Sequence, residues 1–303
     1  MSAKLFILGS GSALPTKFNF PTSQIFELRD KQYMIDCGEG TQIRMRQMGL
    51  KINRLGHIFI SHLHGDHCFG LIGLISSFGM LNRTAELYVH GPIGITKLFE
   101  SHLAFFCENL PFQVIFEEFD TRKHDLIFED RSVSVYSIPL KHRVPCSGFL
   151  FNEKALDRHI NRAMIDFYQV PVAQLNLIKR GADYVTPDGD IILNECLTTS
   201  PDKTVRYAYC SDTAYHEKII PLIQGVDLLY HEATFAESEK MRAKSTMHST
   251  AIQAAIIAQK AQVAKLMIGH FSARYTNQNV LLEEAQSIFQ PVILAEDMLV
   301  LEF

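Results

Sequence analysis

Hydrophobic and polar positions repeat with two periods along this chain, and each period predicts its own elements. Short apolar runs closed by turn residues predict strands. Lys4–Leu8 is the first and ends in Gly9-Ser10-Gly11-Ser12. Gln24–Leu28 and Gln32–Ile35 flank Arg29-Asp30-Lys31 and read as a hairpin. Further strand runs follow at His57–Ile60, Leu87–His90, Val114–Phe119, Leu126–Phe128, Val133–Ile138 and Gly148–Phe151. Helical spacing appears at Gly40–Gly49, which stops on a glycine, and at Phe69–Leu81. A third helix is predicted to start at Gly91-Pro92 and run to about Phe106.

From Glu153 to Asn194 the texture changes. Lys154, Arg158, Arg162, Lys179 and Arg180 are interspersed with Phe167, Tyr168 and Tyr184, and Pro187-Asp188-Gly189 reads as a turn. This stretch reads as an insertion projecting from the domain. A second series then begins. Strands Thr204–Tyr209, Leu228–Tyr230 and Lys265–Ile268 each lead into a histidine or aspartate, and Ser249–Ala261 and Val280–Phe289 are amphipathic helices. Val292–Ala295 and Met298–Phe303 close the pattern. The two halves resemble each other, which predicts an α/β (α+β) fold: two sheets face to face, with helices on both outer faces. The expected organisation is a single domain, residues 1–303, carrying the insertion 153–194.

Composition narrows the class. The chain has 303 residues, 47% hydrophobic and 20% charged, which excludes a mainly disordered or collagen-like protein. Its longest nearly apolar run, Leu71 to Leu81, falls far short of the ~20 residues of a membrane span, so no membrane partner is expected. The N-terminus reads as a strand rather than a signal peptide, and the six cysteines form no CxxC pair. Both features suit a cytoplasmic protein with reduced thiols. The net charge of −4 gives no pointer to nucleic acid. Thr41 to Gly65 nevertheless contains Arg44, Arg46, Lys51 and Arg54 and no acid. That patch is either a contact for a polyanion or a solvated face.

The chemistry concentrates in Ser61-His62-Leu63-His64-Gly65-Asp66-His67, directly after a strand. Imidazoles and a carboxylate suit Zn²⁺. His62 and His64 are two apart, so in extended backbone they share a side. Asp66 and His67 follow a glycine that permits a bend. The loop therefore offers two ligand pairs to two neighbouring points, the arrangement of two-metal phosphodiester hydrolysis. His142, Asp212 and His270 at later strand ends complete a set of seven, and Asp212 has two oxygens with which to bridge. Glu39 reads as support near the metals. Phe78 is either a base-stacking ring or a core residue, and Cys68 packs. His57, His90, His102, His124, His159 and His216 show no partner pattern.

These motifs resemble the metallo-β-lactamase superfamily, whose mark HxHxDH is His62-x-His64-x-Asp66-His67 here. The longer string SHLHGDHCFGLIGLISSF closely resembles the ribonuclease Z family of tRNA 3′-processing endonucleases, in its short form. Asp36-Cys37-Gly38-Glu39-Gly40-Thr41-Gln42, Pro139-Leu140-Lys141-His142, Ser211-Asp212-Thr213, His231–Phe235, His248-Ser249-Thr250 and Gly269–Tyr275 carry the resemblance to the C-terminus. It implies a four-layer αββα sandwich and two Zn²⁺ per subunit. His62, His64, His142 and Asp212 would hold one ion, and Asp66, His67, Asp212 and His270 the other. Metal-activated water would attack phosphorus in a tRNA precursor, with Asp66 orienting it and accepting its proton. A tRNA 3′-hydroxyl and a 5′-phosphorylated trailer would result. His248 matches the family's general acid, and Glu232 is the candidate for holding its ring. Ser249 and Thr250 are expected to cap the following helix. A homodimer is implied, in which the 153–194 arm of one subunit grips tRNA for the other's metals.

Two stretches depart from the family pattern. Its Pro-x-Lys-x-Arg-Asn loop reads Pro15-Thr16-Lys17-Phe18-Asn19-Phe20 here, and the arm has Val170-Pro171-Val172-Ala173-Gln174 in place of a Gly-Pro run. Two other readings of the residues stand beside the endonuclease. One is a sister hydrolase of a small phosphodiester, sulfate ester or lactam; the other is an RNA-binding module with a structural zinc.

Overall fold

The computed structural model describes residues 3–17 and 19–303. Contacts divide the chain into two compact units: residues 153–204, and the chain up to Asn152 together with the chain from Val205.

The larger unit holds two seven-stranded sheets. The first runs Val300–Glu302, Lys4–Gly9, Ser23–Leu28, Lys31–Cys37, Leu55–Phe59, Leu87–Pro92, Val114–Phe119. It is antiparallel as far as Lys31–Cys37 and parallel beyond. The second runs Val292–Leu294, Leu266–Gly269, Leu228–Glu232, Arg206–Cys210, Ser147–Glu153, Val133–Pro139, Leu126–Glu129, and its first four strands are parallel. The period-two alternation of each strand decides what it packs against. Phe26, Tyr33 and Phe59 of the first sheet meet Phe149, Phe151 and Tyr207 of the second in one buried core. The alternate residues Ile25, Met34 and Ile58 pack outward with residues of helices Thr41–Gln47, Gly70–Met80 and Ile95–Phe106. Leu150, Ala208, Leu229 and Ile268 do the same with helices Ala251–Lys260 and Asn279–Gln286. The result is the helix–sheet–sheet–helix layering expected from the pattern.

The expected helix at Gly91-Pro92 begins later, at Ile95. The strand carries through Pro92, still paired with Phe119, and Gly94 makes the turn at φ +105°. The Glu118 carboxylate then accepts the Gly94 and Thr96 amides and fixes the helix start. Thr250 caps Ala251–Lys260 in a capping box with Gln253, whereas the Ser249 hydroxyl donates to the Thr213 carbonyl.

The smaller unit has its own core of Ile165, Val170, Ile178, Tyr184 and Leu197. Helices Arg162–Phe167 and Leu175–Lys179 and two short ladders surround it. It extends past Asn194 because that side chain donates to the Ile178 and Ala182 carbonyls, and Thr198–Thr199 pairs with His159–Ile160.

Candidate metal centre

Strand ends deliver the candidate residues; all but the strand before His142 are parallel, and loops at the carboxyl ends of such strands surround one crevice. Leu55–Phe59 leads to His62 and His64, and the helical turn Gly65–Cys68 carries Asp66 and His67. Val133–Pro139 leads to His142, Arg206–Cys210 to Asp212, and Leu266–Gly269 to His270.

All seven expected ligands come together, in two groups. In the first, His64 Nδ1 lies 3.0 Å from His62 Nε2 and 3.3 Å from His142 Nε2. In the second, His67 Nε2 lies 3.3 Å from His270 Nε2, and each of these nitrogens is 3.5 Å from Asp66 Oδ2. Asp212 spans both. Its Oδ2 is 3.5 Å from His62 Nε2 and 3.7 Å from His142 Nε2, and its Oδ1 is 3.4 Å from His67 Nε2 and 3.1 Å from His270 Nε2. Asp212 Oδ1 is buried without a hydrogen-bond partner. An orphaned buried carboxylate oxygen and imidazole nitrogens facing one another are costly without a cation between them. The donor set fits a pair of divalent transition-metal ions.

Electrostatics agree with that fit in the first group, whereas in the second Asp212, Asp66 and Asp36 outweigh burial and push His67 well above the usual histidine range, as carboxylates gathered without a cation would. Burial, reinforced by neighbouring imidazoles, pushes His62 far below the usual histidine range, and burial lowers His64 and His142. These three are neutral, the form that ligates. Burial opposes ionisation of Asp66, but His67 and His270 outweigh it and hold the carboxyl well below its ordinary range.

Comparison with known proteins places this centre in a family. A family model described as anti-Pycsar protein Apyc1 matches residues 3–169, which include the His62–His67 loop and His142. Ribonuclease Z of Bacteroides fragilis is 59% identical over 296 residues, covering 98% of this chain and 97% of that protein. Ribonuclease Z of Parabacteroides distasonis is 61% identical, covering 96% of each. The chain belongs to the ribonuclease Z family. It is an endoribonuclease with the metallo-β-lactamase fold. Among solved structures, human tRNase Z, short form, matches with a TM-score of 0.72 at 24% identity, covering 98% of each chain. The metallo-β-lactamase fold protein YhfI from Bacillus subtilis matches at 0.70 and 17%, covering all of both chains. These two likenesses carry the fold.

In this ribonuclease Z family member a second layer of hydrogen bonds orients the candidate ligands. His67 Nδ1 donates to the buried Asp36 carboxylate at 2.8 Å, which also accepts the Ser61 amide and hydroxyl and the Tyr209 hydroxyl. The expectation for Glu39 is corrected here. Glu39 is exposed, and Asp36 occupies the supporting position, turned inward by a backbone at φ +55°. His142 Nδ1 donates to the Met247 carbonyl at 3.0 Å. Thr234 Oγ1 donates to Glu232 at 2.7 Å and accepts His270 Nδ1 at 3.0 Å. Sequence reasoning missed Asp36, Thr234 and Met247. The Asp36-Cys37-Gly38 and His231–Phe235 motifs were the available signals for two of them.

His248 stands over the centre with Nε2 4.0 Å from Asp212 Oδ2. Its Nδ1 donates to Glu232 at 2.8 Å. Glu232 is fully buried and also accepts the Thr213, Thr234 and Ser249 amides. Burial alone would lower the His248 pKa, but the Glu232 charge and hydrogen bond outweigh it and raise it to about 9. Phe78 is a core residue. Of the basic patch, Arg44 pairs with Asp297 and Arg54 with Glu27 and Asp30, whereas Arg46 and Lys51 have no ion pair among the described residues.

Proposed function

We propose that the chain is a zinc-dependent endoribonuclease that removes 3′ trailers from tRNA precursors in the cytoplasm. The products are a tRNA 3′-hydroxyl and a 5′-phosphorylated trailer. The supporting observation is the division of Asp212, with one oxygen directed to each histidine group and His248 facing the same point.

Two zinc ions would be held by His62, His64, His142 and Asp212, and by Asp66, His67, Asp212 and His270. When bound, they lower the pKa of water toward neutrality and neutralise the phosphodiester. The protein's residues supply the proton traffic. Asp66 receives the Ala13 amide on Oδ2 at 2.8 Å, so its carboxylate is fixed while it orients the attacking water and accepts its proton. His248 gives a proton to the leaving 3′-oxygen from Nε2, while Glu232 holds the ring through Nδ1. The unit 153–204 binds the tRNA body, acting in a homodimer on substrate at the other subunit's metals.

Mapping the ends made from a precursor tRNA by the zinc-loaded protein tests this reading. The expected cut leaves a 3′-hydroxyl at the tRNA end and a 5′-phosphate on the trailer. Hydrolysis of small phosphodiesters with no cut in RNA overturns it.

A further inference from the structure

A cavity of about 620 Å³ opens beside His142, within the ~300–1,000 Å³ of small-molecule sites. Its floor comes from the loop after Val133–Pro139, and Arg143 and Lys218 stand on its rim. Among the described residues neither cation has a carboxylate partner, and both are exposed. The neighbouring acids are already engaged. Asp120 is held by Arg122 through two bonds of 2.9 and 3.0 Å, and Glu217 by Lys260. The cavity therefore carries an uncompensated positive charge. His216, also on its wall, registers this: burial and then Lys218 and Lys141 depress its pKa. Half-buried Phe119 and Leu140 supply an apolar wall.

A second cavity, of about 510 Å³, lies against Phe271 and Ser272 on the His270 side. Lys17, Glu296 and Asp297 all line it, so it has no comparable excess of positive charge. Hydrolysis makes the two product strands unequal. One ends in an uncharged hydroxyl, the other in a phosphate monoester. We propose that the cavity beside His142 binds the nucleotides on the 3′ side of the scissile bond, the strand that leaves with the new 5′-phosphate. Arg143 and Lys218 contact its phosphates, and the Phe119–Leu140 wall takes a base. This inference rests on the cleavage reading above.

The test uses the zinc-loaded enzyme and two precursor RNAs, with trailers of one and of four nucleotides. In the Arg143→Ala/Lys218→Ala variant, KM for the four-nucleotide trailer rises on the order of tenfold, and the salt slope falls by about 1.4 for two lost contacts to a single strand. KM for the one-nucleotide trailer rises much less. Lys218→Glu shifts KM further in the same direction. A labelled 5′-phosphorylated tetranucleotide, followed by fluorescence anisotropy with metal and after chelation, binds wild type more tightly than the variant in both states. Equal KM shifts on the two RNAs, or unaltered tetranucleotide binding, overturn the assignment. If the wild type cuts neither RNA, the cleavage reading itself falls. If it cuts both and the variants respond equally, the groove assignment alone falls.

Discussion

Asp212 is the residue on which both ligand groups depend, because its two oxygens face different histidine sets. Asp212→Ala is expected to lower metal content at both positions, and His142→Ala chiefly at one. Metal analysis of the purified variants checks this, and a normal content in Asp212→Ala would remove the bridge. His248 poses a separate question. Its Nδ1 is occupied by Glu232, yet Asp212, His248 and His270 also form a group that could hold an ion, so metal content is what separates a proton donor from a ligand. His248→Ala should keep its metals and lose on the order of 10²–10⁴ in rate on RNA, with a smaller loss on a nitrophenyl diester whose leaving group needs no proton. Equal losses on both substrates would exclude proton donation. The pH dependence follows with a definite sign. A general acid must be protonated, so kcat falls as pH rises through its pKa. Burial lowers that pKa and Glu232 raises it by more. Glu232→Gln should therefore move the alkaline limb to lower pH, and an unmoved limb would mean that Glu232 does not set it.

At the scale of elements, the loop between strands Lys4–Gly9 and Ser23–Leu28 shows what a motif string conceals. Asn19 and Phe20 stand where the resembled motif has Arg and Asn; Phe18 lies outside the described residues. Asn19 donates to the Ser10 hydroxyl, and the Phe20 amide donates to Asp297. The Phe20 ring lies under the Arg44 guanidinium, 4.1 Å from it, in space that a Cβ on Gly40 would fill. Asp297, from the end of the chain, accepts Ser10, Phe20 and Arg44 together. The same loop carries Ala13 to Asp66. Asp297→Ala leaves part-buried donors and the Arg44 charge unpaired, with an expected cost of about 1–3 kcal/mol. Asp297→Ala/Arg44→Leu should recover part of it. Urea denaturation measures both, and an unaltered midpoint in the single variant would show that the clamp contributes nothing to stability. Strand and helix positions here were legible from periodicity. The clamp was not, because Asp297 lies 287 residues from Ser10 and they meet through the pairing of the first strand with the last.

At the scale of the molecule, the unit 153–204 folds around its own small core, so its removal need not disturb the sheets. Its charges partly cancel: Arg162 pairs with Asp166, and His159 lies 3.2 Å from Asp202. Lys179 and Arg180 remain without an ion pair among the described residues and are the candidate phosphate contacts. Replacing residues 154–203 with a short Gly/Ser linker should preserve metal content and hydrolysis of a nitrophenyl diester. Cleavage of precursor tRNA should fall chiefly through KM, with a flatter salt dependence. An unchanged KM and salt slope would show that this unit does not grip the RNA, and Arg46 and Lys51 would become the better contacts.

By itself the sequence determined which residue types stand at which strand ends. Alternation places the strands, turn residues end them, and His62-x-His64-x-Asp66-His67 is local enough to be read directly. Thus the seven ligand candidates were legible from one loop and three strand ends, whereas His248 was singled out only through the family resemblance. Tertiary structure decided how they are held and divided. Which oxygen of Asp212 meets which histidines, and the support of His67 by Asp36, of His270 by Thr234 and of His142 by the Met247 carbonyl, join elements far apart in the chain. The physical reason is that periodicity fixes the face a side chain takes, whereas a 3 Å hydrogen bond between distant segments is fixed by the packing and pairing of the sheets that carry them.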